Sequence, residues 1–457
     1  MDESPNQIIN STEKRIKQNI TENYIVMHQN LHPCLLLLTS LIGLYYPARA
    51  QSNDLPTLAL SEDDTFNFDL LGPLAQAVYS GGDVSPILAV AKQLDAGDFS
   101  TYTDAFYALA NETKARAEDP RYAHDPVNVR DTWFHAAAYF RRADTYLHDD
   151  WTNPLIYTLW EEQTAAFDRA LAALPIPGER VQIPADGFTV EAIWYSSTTE
   201  QAAHRPTLIL CGGYDSSQED IYHQVVVPAL ARGWNCLSYE GPGHPSLRRY
   251  QDIGFIPDWE RVVTPVVDYL LLNRTQDVDE SRIASLGWSF GGYLAARAAA
   301  FEPRLAAILL NGGIWDTHEA FVGQMDENLL EIYNAKNKSV FDATIFSLLE
   351  DPKTPSNLRW GVTQGLWAFK IKSPYDWLEA VRAYNVRDIV DRIQMPVWIA
   401  NAEFEGFFPG QPQKIADALG GRATLHDFNG AAGYHCQMGA FTESARVAFG
   451  WLNETLS

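Results

Sequence analysis

The sequence has few basic side chains for its length. Lysine and arginine total 34, against 58 aspartates and glutamates, which gives a formal net charge of -24 over 457 residues. A surface with this charge repels phosphate groups, so the composition argues against binding to nucleic acids and to anionic membranes. The sequence also lacks dinucleotide-binding and metal-ligand motifs, internal repeats and low-complexity tracts. We therefore expect a globular protein that needs no cofactor.

Cysteine is also scarce, and its spacing forms neither a disulfide framework nor a metal site. Cys34 lies in an apolar N-terminal segment, which leaves an odd number of others. Those three, Cys211, Cys236 and Cys436, each stand beside apolar or motif residues. We expect them to be buried free thiols.

The N-terminus contains the most apolar run, but that run is too short for a comfortable membrane span. Residues 1–26 are polar without a packing pattern and are predicted to be disordered. Residues 27–50 then pass from Met27 through HPCLLLLTSLIGLYYP to the small-x-small sequence Ala48-Arg49-Ala50. This order predicts a signal peptide cleaved before Gln51, and a secreted or endomembrane protein.

A buried or tethering N-terminal helix, and a cytoplasmic protein, is the alternative, because no Lys or Arg lies between Met27 and the apolar run. Glycosylation sequons would suit a secreted chain, although they also arise by chance. They begin at Asn111, Asn273, Asn337 and Asn453.

Two regimes of hydrophobic patterning follow. Residues 51–177 are helical in pattern, with apolar residues spaced by three and four in segments such as TWFHAAAYFRRADTYL. In residues 178–457, short apolar runs alternate with helical stretches, from FTVEAIWY (188–195) to TLHDFNG (424–430). This alternation predicts an α/β fold, with a mostly parallel sheet and helices on both faces. It lapses at about 314–393, where helical sequence rich in Trp, Leu and Phe predicts a lid over the strand ends.

A candidate nucleophile lies in GWSFGG, residues 287–292. The motif follows the apolar strand RIASL and opens the helix GYLAARAAA. A G-x-S-x-G between a strand and a helix is typical of the nucleophile elbow, whose tight turn lifts the serine hydroxyl above the sheet. We expect a side chain at Gly287 or Gly291 to collide with that turn. Ser289 is the candidate nucleophile, and a chance Gly/Ser turn is the alternative.

A serine hydroxyl needs a base, and in this architecture the base is a histidine that follows the acid in the chain. His435 comes after the last predicted strand, in the glycine-rich loop GYHCQMG. His426 is the nearby competitor, but it lies inside the strand TLHDF, where a packed or solvent-facing histidine is expected. His435 is therefore the candidate base.

Two carboxylates compete for the role of the acid in NAEFEGFFPG, residues 401–410. Glu403 closes a predicted strand, and Glu405 lies two residues further into the loop. The loop position suits a side chain that must reach an imidazole, hold its tautomer and stabilise the imidazolium. The other carboxylate would anchor the loop by accepting backbone N–H bonds.

The loop CGGYDSSQED, residues 211–220, is the expected second half of an oxyanion hole. One donor would be the amide of Phe290, after the nucleophile, and the other the amide of Gly213 or Tyr214. Asp215 is unexpected there, because a carboxylate repels an oxyanion unless it is protonated or otherwise bonded. Capping the following helix is the alternative role.

Several separated motifs between about residues 60 and 455 carry a family resemblance: GGYDSSQED, YEGPGHPSLRR, FIPDWERVVTPVVDYLL, GWSFGGYLAARAAA, GLWAFKIKSPYDW, EFEGFFPGQPQK and GYHCQMGA. They resemble a group of α/β-hydrolases that includes the bacterial 2,6-dihydropseudooxynicotine hydrolase, the fungal yellowish-green pigment hydrolase, and the fusarin- and cytochalasan-pathway hydrolases. The resemblance implies an α/β-hydrolase fold with a helical N-terminal region and a helical lid, and often a homodimer.

Carried over residue by residue, the resemblance implies Ser289 as nucleophile and His435 as base. It favours Glu405 over Glu403, although the family usually has aspartate at that position. The additional acid of the nicotine-pathway member falls on Asp215, one methylene shorter here. Asp215 is therefore a candidate catalytic residue, and either it or His435 is expected to protonate the leaving carbanion.

The resemblance also implies a serine hydrolase of fungal secondary metabolism that cleaves a C–C bond next to a carbonyl in a polyketide-derived substrate. A cyclase of the same fold, which forms a ring without admitting water, is the first alternative. A plain esterase or amidase comes next. A non-catalytic binding module is disfavoured by the intact serine, histidine and acid.

Overall fold

The computed structural model describes residues 56–457. The predicted disordered extension, 1–26, and the predicted signal peptide, 27–50, lie outside these residues. The four sequon asparagines lie inside them, and all have exposed side chains. Within the described range, every helix is either too short or too polar to span a bilayer.

The N-terminal part is a layer of helices whose starts are set by aspartates. Asp63, Asp98 and Asp125 each accept backbone N–H bonds in the first turn of the helix that follows. Aromatic residues such as Phe106 and Phe167 fill the space between these helices. The helices are α1 Asp64–Gln76, α2 Val84–Ala91, α3 Phe99–Ala117, α4 Pro126–Ala143 and α5 Leu155–Ala172.

The rest of the described chain is built on an eight-stranded sheet of order β1-β2-β4-β3-β5-β6-β7-β8. The pairs β1–β2 and β2–β4 are antiparallel, and all the others are parallel. The central strands β4 and β6 are buried along their whole length, as expected for a sheet covered on both faces. The strands are β1 Glu179–Ala185, β2 Phe188–Tyr195, β3 Arg205–Cys211, β4 Asn235–Glu240, β5 Val278–Trp288, β6 Ala307–Asn311, β7 Val397–Ala402 and β8 Ala423–Phe428.

Helices connect the strands. They are α6 Gln218–Ile221, a π-helical turn Tyr222–Val226, α7 Val227–Leu230, α8 Pro245–Tyr250, α9 Glu260–Asn273, α10 Gly291–Ala299, α11 Thr317–Val322, α12 Glu327–Asn334, α13 Lys338–Glu350, α14 Ser356–Ala368, α15 Pro374–Val381, α16 Gln411–Leu419 and α17 Phe441–Leu456. Short 3₁₀ turns occur at Ala77–Tyr79, Val390–Arg392, Gly420–Arg422, Gly430–Ala432 and His435–Gln437.

The predicted α/β-hydrolase fold is confirmed, including the mostly parallel sheet, the helical N-terminal region and the helical lid. The lid consists of α11 to α15, inserted between β6 and β7. The sequence pattern did not predict β1, the edge strand ERVQIPA. That strand is mostly exposed and contains a proline, so it lacks the apolar run that marks the inner strands.

The three cysteines in the described range, Cys211, Cys236 and Cys436, are buried and unpaired, as predicted.

Candidate active site

Ser289 lies at the carboxyl end of the sheet, between the last residue of β5 and the first turn of α10. Its φ of +57° places a non-glycine residue in the left-handed region, which is energetically unfavourable for a residue with a side chain. The turn is held by two backbone bonds: the Ser289 amide donates to the Asn311 carbonyl at 2.6 Å, and the Ser289 carbonyl accepts from the Gly292 amide at 2.8 Å. This strained turn leaves the serine side chain partly accessible.

The glycines on either side of the serine are required for steric reasons, as the sequence predicted. A Cβ atom at Gly287 would collide with the carbonyl group of Gly291. A Cβ atom at Gly291 would lie 2.5 Å from the carbonyl oxygen of Gly212, in the neighbouring loop. The strand, the turn and the helix can therefore approach one another only without these side chains.

The structure brings three of the candidate residues into one hydrogen-bonded chain. His435 Nε2 lies 2.8 Å from Ser289 Oγ, and His435 Nδ1 lies 2.7 Å from Glu405 Oε2. The side chains of His435 and Glu405 are 6% and 7% exposed. Each of the three follows the carboxyl end of a different parallel strand, and these ends meet at one edge of the sheet.

The two glutamates of the acid loop have different partners. Glu405 accepts bonds from the amides of Phe407 and Phe408 at 2.9 and 3.0 Å, in addition to its contact with His435. Burial raises the pKa of Glu405, but the charge of His435 and these hydrogen bonds outweigh it, so the pKa lies below its usual range. Glu403 instead accepts a bond from the Gly430 amide at 2.7 Å. The structure thus places Glu405 on the histidine and Glu403 on the neighbouring loop.

The surroundings of His435 favour its protonated form. Burial alone would lower the pKa of His435, but the side chains of Cys436 and Glu405 raise it well above its usual value. The Cys436 sulfur lies 3.4 Å from His435 Nε2 and 3.3 Å from the carbonyl oxygen of Asn311. Burial raises the pKa of the Cys436 thiol, so Glu405 is the anionic neighbour at neutral pH.

His426, the competing histidine, is not part of this chain. It lies in β8 and packs against the ring of Phe428, with ring centres 4.6 Å apart. This matches the packed strand histidine that the sequence suggested.

The predicted oxyanion loop lies against the elbow. A Cβ atom at Gly213 would lie 2.7 Å from Ser289 Cβ and 3.0 Å from the Phe290 nitrogen, so only glycine allows this approach. Among residues 56–457, the backbone amides of Phe290 and Tyr214 have no hydrogen-bond acceptor. The amide of Gly213 likewise has no acceptor among these residues, so both predicted donors of the loop, Gly213 and Tyr214, are available beside that of Phe290.

Asp215 has a partner that the sequence did not reveal. Arg141 Nη2 donates to the backbone oxygen of Asp215 at 2.6 Å and lies 3.4 Å from its carboxylate oxygen Oδ2. The alternative role for Asp215, capping the next helix, is not observed, because Ser217 is the N-cap of α6 and accepts from the Asp220 amide. A carboxylate beside an oxyanion must be either protonated or bonded to another group. The structure shows that Asp215 is bonded to Arg141.

A sequence model of the alpha/beta hydrolase family matches residues 208–435, which include Ser289, Glu405 and His435. The chain belongs to the alpha/beta hydrolase family.

Comparisons along the whole chain agree with this family. The hydrolase LUC6 of a Fusarium species is 28% identical over 406 residues, which cover 85% of this chain and 96% of that protein. The 20-hydroxy-prefusarin hydrolase FUS2 of Gibberella moniliformis is 27% identical and covers 76% and 83%. The crystal structure of the 2,6-dihydroxy-pseudo-oxynicotine hydrolase superposes with a TM-score of 0.65 at 20% identity, covering 84% of this chain and 95% of that one. The chain is thus a hydrolase-family member related to fungal hydrolases.

Aromatic side chains from three parts of the chain pack beside His435 and Tyr214. Phe407, beside His435 at a ring distance of 4.9 Å, is covered by Phe68 of α1 at 5.5 Å. On the lid side, Trp360 of α14 lies 6.3 Å from Phe407 and 6.2 Å from Tyr214. Helix α1, the lid and the acid loop therefore each contribute aromatic side chains beside the histidine or the oxyanion loop.

A further acid of the hydrolase, Asp69, was not singled out from the sequence. It follows Phe68 in α1, is half-buried and accepts a hydrogen bond from Tyr146. Burial raises the pKa of Asp69 to about 7, although the Tyr146 bond and the charge of Arg142 lower it. Asp215 is among the charges that raise it further.

The residues around Ser289 show no arrangement of metal ligands. Across the described part of the hydrolase, no group of three or more His, Cys, Asp or Glu side chains could hold a metal ion. The groups gathered at the site are the hydroxyl of Ser289, the imidazole of His435, the carboxylate of Glu405, the thiol of Cys436 and backbone N–H groups.

Proposed function

We propose that this hydrolase is a serine enzyme of fungal secondary metabolism that cleaves a C–C bond next to a carbonyl in a polyketide-derived substrate. The observation that carries the proposal is the chain Ser289 Oγ–His435–Glu405, with distances of 2.8 and 2.7 Å at the accessible end of the sheet. The relative named 20-hydroxy-prefusarin hydrolase supports the substrate class.

In the proposed first half-reaction, His435 Nε2 takes the proton of Ser289 as Oγ attacks the substrate ketone. The amides of Phe290 and Tyr214 bind the resulting oxyanion. Glu405 stabilises the imidazolium. When the tetrahedral intermediate collapses, the electron pair of the C–C bond leaves with the departing carbon, which is stabilised by an adjacent carbonyl and receives the proton of His435. An acyl group remains on Ser289.

In the second half-reaction, His435 takes a proton from water, and the hydroxide oxygen attacks the acyl carbon. Collapse of this intermediate returns the proton to Ser289 Oγ and releases a carboxylic acid. The aromatic side chains of α1, the lid and the acid loop hold the substrate in the attack geometry. Asp215, paired with Arg141, stays outside the proton transfers in this scheme.

Active-site labelling tests the nucleophile. A fluorophosphonate probe should modify the wild-type protein at Ser289, as located by peptide mass spectrometry, and should not modify a Ser289→Ala protein. The same substitution should lower turnover on the order of 10³-fold or more without changing the circular dichroism spectrum. A folded Ser289→Ala protein with near-normal turnover would overturn the serine mechanism.

The reaction type is tested with the natural substrate, found by comparing metabolites of a gene-deletion strain and its parent. In H₂¹⁸O, C–C hydrolysis places one solvent oxygen in a shortened acid product. A product that retains every carbon and gains no solvent oxygen would instead establish the cyclase, and hydrolysis confined to esters would establish the esterase.

A further inference from the structure

The contact between Arg141 and Asp215 joins two parts of the chain that are 74 residues apart. Arg141 lies in the last turn of α4, in the helical N-terminal region, and its side chain is 4% exposed. Its guanidinium contacts the residue that directly follows Tyr214, a proposed oxyanion donor. The N-terminal region therefore reaches the centre of the proposed active site through one buried side chain.

Two further carboxylates lie near the guanidinium of Arg141. Its Nε lies 3.2 Å from Asp220 Oδ2, and its Nη1 lies 3.9 Å from Asp144 Oδ2. Asp144 is in turn held by Arg249 Nη2 at 2.7 and 2.8 Å from its two oxygens. Within the described residues, the guanidinium makes hydrogen bonds only through Nη2, to the backbone oxygen and the carboxylate of Asp215. The surrounding carboxylates of Asp220 and Asp144 balance its charge, and this pairing keeps the buried cation beside the Asp215 loop.

The loop around Tyr214 is held from the opposite side by the lid. Gln364 Nε2 of α14 donates to the backbone oxygen of Tyr214 at 3.1 Å, and the Tyr214 hydroxyl donates to the Gly361 carbonyl at 2.8 Å. The carbonyl of Tyr214 is thus held by the lid, and the next carbonyl, that of Asp215, by Arg141. Fixing two successive carbonyls leaves little freedom for the Tyr214 amide that precedes them.

We infer that Arg141 is a positioning residue for the oxyanion hole: it holds the loop so that the Tyr214 amide points at Ser289, and it neutralises Asp215 beside the developing oxyanion. The inference rests on the proposed function. Its physical basis is that an oxyanion hole works through donors fixed in place before the charge develops, so that a loose donor loses most of its effect. An unpaired carboxylate in the same loop would oppose the negative charge directly.

The test uses Arg141→Lys and Arg141→Gln with a matched control. Arg180→Gln is that control, because Arg180 also pairs with a buried carboxylate near this loop, that of Glu219 in α6 at 2.9 Å, but does not contact Asp215. All proteins are assayed with a p-nitrophenyl ester and with an aryl trifluoromethyl ketone, which places an anionic oxygen in the hole once Ser289 has added to it. Thermal unfolding is measured in parallel.

We expect Arg141→Lys to lower kcat by about 10- to 100-fold with a KM change below about threefold, which is less than the loss of a whole donor. Binding of the trifluoromethyl ketone should weaken by a similar factor. Arg180→Gln should lower the melting temperature and leave kcat and ketone affinity unchanged. If Arg141→Gln fails to fold, the lysine variant alone tests the positioning role, because lysine keeps the positive charge but loses the hydrogen bonds of the planar guanidinium.

The outcomes separate this inference from the proposed function. Wild-type protein that neither turns over the ester nor is labelled at Ser289 would reject both. Wild-type activity together with unchanged kcat and ketone affinity in a folded Arg141→Lys protein would reject the positioning role alone. Equal losses of kcat in the Arg141 and Arg180 variants would also reject it, since they would show a general effect of destabilisation.

Discussion

The two glutamates of the acid loop provide a test at the scale of single residues. Glu405→Gln should lower kcat on the order of 10³- to 10⁴-fold, because a neutral amide can neither stabilise the imidazolium nor hold its tautomer. Glu403→Gln, the matched control, should keep kcat within a few-fold and cost about 1 kcal/mol or less of stability, since it weakens only the bond to the Gly430 amide. Steady-state kinetics and denaturant unfolding measure both. A loss of kcat that follows Glu403 instead would show that the acid is misassigned.

The raised pKa of His435 predicts the pH dependence of catalysis. His435 must be neutral to accept the proton of Ser289, so kcat/KM should rise with pH along a limb whose midpoint lies above 6.5. Glu405→Gln removes the carboxylate that favours the imidazolium, so the midpoint of the residual activity should move to lower pH. An unshifted midpoint would mean that Glu405 does not set the protonation of the histidine.

Asp69 predicts a pH dependence of stability. Because its pKa is raised from 3.8 to about 7, the folded protein keeps a proton on Asp69 that the unfolded chain has lost between these values. Its stabilising contribution is complete below pH 3.8 and is lost as the pH rises through 7. Asparagine resembles the protonated acid, so Asp69→Asn should stabilise the protein relative to wild type by an amount that grows from about pH 4 to 7, to a few kcal/mol as an order of magnitude, and then levels off. Melting curves across that range check it, and a constant difference would contradict it.

Local patterns predicted Ser289 and His435, the family resemblance selected Glu405 over Glu403, and neither could predict Arg141. The first three lie in loops with their own signals, such as G-x-S-x-G and the glycine-rich GYHCQMG, and the parallel sheet brings strand ends together. The pairing of Arg141 with Asp215 depends on how a helical layer packs onto the sheet, which no short window encodes. The sequence did contain one sign that Arg141 is buried. In AAAYFRRAD, residues 136–144, the arginines directly follow the apolar residues of a helix.

At the scale of elements, helix α14 of the lid contains two glycines with different surroundings. A Cβ atom at Gly365 would collide with the hydroxyl of Tyr214 and lie 2.6 Å from the Trp377 ring, whereas one at Gly361 meets nothing within 4 Å. Gly365→Ala should therefore displace the lid from the oxyanion loop and lower both stability and kcat. Gly361→Ala should stabilise the protein by about 0.5 to 1 kcal/mol through helix propensity.

Unfolding curves and ester kinetics of the two alanine variants test this difference between positions four residues apart. Equal effects at Gly361 and Gly365 would show that the contact between α14 and Tyr214 is unimportant.

The lid also shows what a sequence can and cannot predict about an element. The loss of strand–helix alternation between 314 and 393 predicted an inserted helical segment, because such sequence has no strand signal. Its placement depends on contacts between distant residues: Ser356 Oγ donates to Asp63 Oδ2 at 2.6 Å, across 293 residues. Nothing in either segment alone indicates the other as its partner.

At the scale of the whole molecule, the N-terminal helices and the sheet share a buried ion pair, which predicts that they unfold together. Arg249 and Asp144 have side chains that are 0% and 2% exposed, and they join α8 to the end of α4. Asp144→Asn would leave Arg249 buried without a counter-charge, so the free energy of unfolding should fall by about 3 to 5 kcal/mol. Denaturant titration should show a single transition at lower midpoint. Two separated transitions would mean that the regions are independent.

The dual attachment of the oxyanion loop, to α4 through Arg141 and to the lid through Gln364, limits how this architecture can be recombined. A chimera that takes its helical N-terminal region from one relative and its sheet from another joins residues 141 and 215 from different parents. Such a chimera should be active only when residue 141 from one parent can bond to residue 215 from the other. Parents that match there and at the buried pair of Asp144 and Arg249 should recombine with less loss of activity than parents that differ at these positions.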